Sequence, residues 1–167
     1  MKHGRLLFLF AIAAAMIEAL YYYPYLPERM AVHFNAAGAA DGWGDRRGFF
    51  ISFGISYGLA AVLFGGMGLI IRGIPEKWIN LPNKAYWLAP ERKEQTYDTL
   101  TGHSFFLGAL TLLLLDGALC LSMMANLGGP HTMPAEILWT MLALYAAAIV
   151  GSLIAVFRRF RIPGGKA

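Results

Sequence analysis

Four apolar runs, each close to or beyond the length that crosses a bilayer, constrain this chain more than any other feature. The first extends from about Leu6 to Tyr23 and the second from about Phe49 to Ile71. The third extends from about His103 to Leu127 and the fourth from about Glu136 to Phe157. Roughly 20 residues of helix span the hydrocarbon core. Backbone groups find no water there, so runs of this kind must close their hydrogen bonds internally, as helices do. Composition agrees: 57% of the residues are hydrophobic, 14% are charged, and the mean hydropathy is +0.51. Ordinary soluble domains carry about 25% charged residues. The sequence therefore predicts an all-α membrane protein. Its four transmembrane helices would form an up-down bundle, in a single domain over residues 1–167.

The net charge of +4 does not indicate nucleic acid as a partner, because the basic residues cluster at the ends of the apolar runs. With the N-terminus inside, the inner segments hold Lys2, Arg5, Arg72, Lys77, Lys84, Arg92, Lys93, Arg158, Arg159, Arg161 and Lys166. The outer segments hold only Arg29, Arg46 and Arg47. This asymmetry predicts both termini in the cytoplasm. Lys2 and Arg5 before Ala13, Ala14 and Ala15 resemble a signal peptide. The run continues to Leu20, however, and ends in Tyr21, Tyr22 and Tyr23 at the expected aromatic belt, so an uncleaved anchor is predicted.

Small residues mark the expected packing seams. Gly58, Ala61, Gly65 and Gly68 share one face of the second run, and Ala147, Ala148 and Gly151 offer another in the fourth. Glu18, Asp116 and Glu136 are acidic groups within or beside the spans. Such groups turn towards the bundle interior and a partner, so a shared polar pocket opening outwards is one expectation. A packing role is the other. Cys120 is the single cysteine and lies in an apolar run, which leaves no intramolecular disulfide and no zinc pattern. His103 and His131 fall at the ends of the third span and read as capping or interfacial residues. No HExxH or phosphate-binding glycine loop occurs, and no cofactor is expected.

The outer loop from about Pro24 to Gly48 is rich in proline and glycine, which predicts defined turns rather than a helix. Tyr25, Leu26, Phe34 and Trp43 would fold it against the bundle. His33, Asn35, Asp41 and Asp45 are nitrogen and oxygen donors that could hold a divalent metal, with His33 and Asp41 as the core pair. They could equally hydrogen-bond the loop backbone. A third reading makes the loop a docking surface anchored by Trp43 and Tyr25.

The stretch Tyr23-Pro24-x-Leu26-Pro27-Glu28, with Ala31-x-His33-Phe34-Asn35-x-x-Gly38-x-x-Asp41-Gly42-Trp43, resembles the domain-of-unknown-function family DUF1648. The inner segment Asn80-Leu81-Pro82-Asn83-Lys84-Ala85-Tyr86-Trp87-Leu88-Ala89-Pro90-Glu91 resembles the cytoplasmic connector of its short bacterial members. Ala85 stands where members often carry an acidic residue. The resemblance extends over most of the chain and implies the bacterial cytoplasmic membrane. The family includes an immunity protein directed against a secreted killing peptide, so the resemblance implies sensing or immunity at the outer face.

Basic and aromatic residues between about Arg72 and Thr101 predict a connector pinned at the headgroup layer, with a short interfacial helix over about Pro90 to Gly102. Arg158-Arg159-Phe160-Arg161 reads as a stop-transfer anchor. The leading functional expectation is non-enzymatic recognition of a small molecule or peptide through His33, Asn35, Asp41 and Trp43, with Glu18 and Asp116 below. The alternatives are a metal-dependent intramembrane enzyme, with Glu18 or Asp116 as base, and a structural subunit of a membrane complex. The lipid bilayer is a partner in each, and an oligomer is left open.

Overall fold

The computed structural model describes residues 2–128 and 130–162. Lys166, counted among the inner basic residues, lies outside them. Helix α1 covers Lys2–Tyr22 and is followed by a 3-10 turn at Tyr23–Tyr25. Strands β1 (Arg29–Phe34) and β2 (Ala40–Asp45) form an antiparallel hairpin. Helix α2 covers Arg46–Ile70, the short α3 covers Lys84–Trp87, α4 covers Lys93–Leu127 and α5 covers Ala135–Arg159. Four of these helices are long and apolar enough to cross a membrane. The chain is a multi-pass membrane protein.

Helix α4 is the centre and packs against α1, α2 and α5. The ring of Phe8 on α1 lies between two glycines, Gly65 of α2 and Gly108 of α4. A Cβ on Gly108 would come within 2.7 Å of that ring and within 2.5 Å of the Phe64 Cβ. Phe105 meets Phe8 edge-on at 5.4 Å, and Gly68 lies against Phe105. The Tyr57 hydroxyl donates to the Ala11 carbonyl at 2.8 Å and ties α2 to α1. The expected glycine seam is thus realised at Gly65 and Gly68. It is not realised at Gly58 or at Gly151 of α5, where an added Cβ would meet nothing within 4 Å. Among the described residues α5 buries none, so its small residues are not a buried seam.

The connector departs from expectation in its helices. There is no separate interfacial helix over Pro90 to Gly102, because α4 begins at Lys93 and runs unbroken through that stretch. Arg72 explains the extension: it bonds Glu94 at 2.8 Å and also Asp98, while Lys93 meets Glu76 at 2.6 Å. These pairs give the polar first turns of α4 a partner beyond the apolar run. Trp87 is buried, in a small core with Ile79, Leu81, Leu88, Tyr97 and Phe160. The Phe160 carbonyl accepts from both Trp87 Nε1 and Asn83 Nδ2 at 2.8 Å. Phe160 is therefore a core residue as well as part of a basic tail.

Candidate functional site

The hairpin is built from a turn that the sequence encodes locally. Asn35 Oδ1 accepts from the backbone N–H groups of Ala37 and Ala39 at 3.0 and 3.1 Å, and the Asn35 carbonyl accepts from Gly38. This is the aspartate-and-asparagine turn that short side chains favour. Gly38 takes a positive φ of 81°. Its carbonyl accepts from Met133 N–H at 2.8 Å, so the hairpin tip is tied to the segment before α5. Trp139 Nε1 donates to the Ala36 carbonyl and adds a second tie.

At the other end Arg46 acts as a clamp. Its guanidinium donates to the carbonyls of Tyr23 and Leu26, pairs with Glu28 and stands over the Tyr23 ring at 4.6 Å. Asp45 caps α2 by accepting from Gly48 N–H at 2.7 Å. The middle of β1 is sealed onto α4. Met30 and Ala31 are fully buried, and Asn126 of α4 bonds both the N–H and the carbonyl of Ala31.

Beneath the docked hairpin is a cleft of about 590 Å³. Val32 and Phe34 of β1 form its roof, Ser52 and Phe53 of α2 one wall, and Leu119 and Ser122 of α4 its floor. The lining is mainly apolar, with serine hydroxyls and the Asp45 carboxylate at its edge. Size and lining suit a small amphipathic ligand.

The residues singled out in the sequence fall in two places. His33 and Asp41 meet across the hairpin, with Nδ1 donating to Oδ1 at 2.5 Å, and their side chains are 71% and 44% exposed. So exposed a pair contributes about 1 kcal/mol or less. Trp43 is also exposed and meets the His131 ring edge-on at 4.9 Å, with Arg29 over its face at 5.3 Å. His33 and Asn35 border a smaller hollow of about 390 Å³ beside α5. None of His33, Asn35, Asp41 and Trp43 lines the larger cleft. Asp45, the fourth donor of the metal reading, instead caps α2. Among the described residues no group of three or more histidine, cysteine and carboxylate side chains is placed to hold a metal ion.

The second place is inside the bundle. Glu18 of α1 and Asp116 of α4 carry their carboxyl groups near each other, with Cys120 one helical turn along α4. Asp116 Oδ1 is enclosed and has no hydrogen-bond partner. The pair stands between the packed helices α1 and α4, apart from His33 and Asp41 of the hairpin. His33 lies on the exposed hairpin, and Glu136 is in the first turn of α5.

Asn126, Ser122 and Ser52 are the residues that sequence reasoning missed. A signal was present for two of them, since Ser122 and Asn126 are polar groups one turn apart in an apolar run.

Residues 9–56 match the domain of unknown function DUF1648. The matched segment takes in most of α1, the whole hairpin and the first turns of α2, which together supply the roof and one wall of the cleft. It stops before the Asn80–Glu91 stretch, so the match does not extend over most of the chain as expected. No curated protein and no solved structure matches the chain.

Proposed function

We propose that the chain is a non-enzymatic recognition protein of the bacterial cytoplasmic membrane. Its helices run up and down across the bilayer, with both termini in the cytoplasm and the hairpin on the outer side. The ligand is a small amphipathic molecule or a peptide, in a role of the sensing or immunity type. Its apolar part would enter the cleft under β1. Its polar part would meet the exposed His33, Asn35, Asp41 and Trp43. Glu18 and Asp116 would hold α1 against α4 below the site.

The observation that carries this reading is the roofed cleft itself. A hairpin docked by Met30, Ala31 and Asn126 leaves about 590 Å³ open beneath Val32 and Phe34. A loop serving only as a connection would not need such a roof. The segment matched to DUF1648 contributes both roof and wall.

The test compares molecules that co-purify with the protein and with Ser122→Phe, which fills the cleft from its floor. After gentle detergent extraction, bound small molecules and peptides are released with organic solvent and identified by mass spectrometry. A molecule present with the native chain and depleted at least tenfold from Ser122→Phe, at equal helicity, supports the reading. Identical bound molecules in equal amount from both proteins would overturn it. Glu18→Gln should retain the ligand, whereas an enzyme using Glu18 as base would retain its fold and lose turnover.

A further inference from the structure

At the connector end a second cavity, of about 630 Å³, lies between the starts of α1 and α4 and the end of α5. Its lining changes along the helices. Nearest the connector are Gln95 and Asp98 of α4 and Arg159 of α5. Two to three turns deeper on α4 is Phe106, and one turn deeper on α5 is Ala155. A molecule that fits must be polar at the connector end and apolar towards the middle of the bundle.

The charges narrow the choice. Asp98 is already engaged by Arg72. Arg159 has no carboxylate partner among the described residues and stands over the Trp87 ring at 5.2 Å. The cavity therefore presents an uncompensated guanidinium. His103 borders the same space, and its Nε2 is enclosed with no hydrogen-bond partner. A guanidinium with no carboxylate partner can bind a phosphate bidentately, by geometry as well as by attraction. The back of the cavity is backbone. A Cβ on Gly4 would come within 2.9 Å of the Gly102 carbonyl, so α1 crosses α4 there without side chains between them.

We propose that this cavity holds one phospholipid of the adjacent leaflet. Its phosphate pairs with Arg159, His103 supplies a second donor to the headgroup or ester oxygens, and an acyl chain runs past Phe106 and Ala155 into the hydrocarbon. The phosphate chemistry alone would also suit a free phosphate ion. The apolar inner half of the cavity assigns it to a lipid.

The full chain in mild detergent is titrated with phosphatidylglycerol and bound lipid is counted by native mass spectrometry. One lipid per chain is expected to persist after the others are stripped. Arg159→Gln should weaken it at least tenfold, and Arg159→Lys by less. Ser152→Phe fills the cavity from α5 without touching the guanidinium and should abolish it. It carries the test if Arg159→Gln disturbs the connector core. Arg158→Gln removes the neighbouring charge, which does not line the cavity, and should leave binding unchanged. The proposal is overturned if Ser152→Phe retains the lipid or if Arg158→Gln loses as much as Arg159→Gln. Displacement of the lipid by millimolar glycerol 3-phosphate or inorganic phosphate would likewise overturn it, marking a free-phosphate site instead.

Discussion

Asn126 binds Ala31 as a neighbouring strand would, its Oδ1 accepting from the Ala31 N–H at 2.8 Å and its Nδ2 donating to the Ala31 carbonyl at 3.0 Å. One side chain on α4 thus completes both hydrogen bonds of a fully buried strand residue. Without it the peptide groups at Ala31 would be enclosed and unpaired. Each unsatisfied buried group costs about 1–3 kcal/mol. Asn126→Ala should therefore lower stability by about 2 kcal/mol or more. Hydrogen exchange at the Ala31 amide should accelerate while the amides of α1 and α2 keep their protection. Unchanged exchange at Ala31 would show that the tie is not made.

The hairpin tip should discriminate between two kinds of damage. Asn35→Ala removes two side-chain bonds within an exposed turn, an effect of about 1 kcal/mol. Gly38→Ala is more severe. Gly38 sits at a φ of 81°, and an added Cβ would lie 2.0 Å from the Met133 carbonyl oxygen. The tip must then leave the segment before α5, at a cost of about 2–3 kcal/mol. Thermal unfolding in detergent should place Gly38→Ala clearly below Asn35→Ala. Equal stabilities would mean that the tip is not seated against Met133.

The spans were legible because an apolar run of that length has few other solutions in lipid. Their limits were less so. The extension of α4 back to Lys93 rests on Arg72 and Glu76, partners from the preceding turns that no local pattern announces. The hairpin was read as turns because its loop is rich in proline and glycine, and Ala40-Asp41-Gly42-Trp43-Gly44-Asp45 is poor in strand-forming residues. The glycines have a reason that only the pairing reveals: a Cβ on Gly42 would press within 2.7 Å of the His33 Cβ. Polar residues were singled out by type, and two of them, His33 and Asp41, do meet. The cleft was invisible because its walls are ordinary apolar residues and serines from three elements brought together by packing.

The Glu18–Asp116 pair should behave as a single unit. Replacing either acid by leucine leaves the other carboxyl without its partner inside the bundle, which is costly at membrane depth. Replacing both removes the problem. The double variant Glu18→Leu/Asp116→Leu should thus be more stable than either single variant, with a coupling of about 0.5–3 kcal/mol. Thermal melts of the four proteins in one detergent measure it. Strict additivity would show that the two carboxyls do not interact.

The glycines offer the sharpest test of helix packing, because sequence placed four small residues on one face of α2 and the structure uses only part of that face. Gly58 faces open space, and an added methyl there meets nothing within 4 Å. Gly58→Ala should be neutral or slightly stabilising, since alanine is the better helix former by about 1 kcal/mol. Gly108 on α4 is the opposite case. Its added Cβ would lie 2.5 Å from the Phe64 Cβ and 2.7 Å from the Phe8 ring, so α1 and α2 would both have to retreat from α4. Overpacking of this kind costs about 1–3 kcal/mol. Gly108→Ala should lower the melting temperature and loosen α1, read as faster labelling of a single cysteine introduced at Ala11, which is fully buried in the native chain. If Gly108→Ala proves as harmless as Gly58→Ala, then Phe8 does not lie between α2 and α4, and the crossing of the first three long helices is other than described.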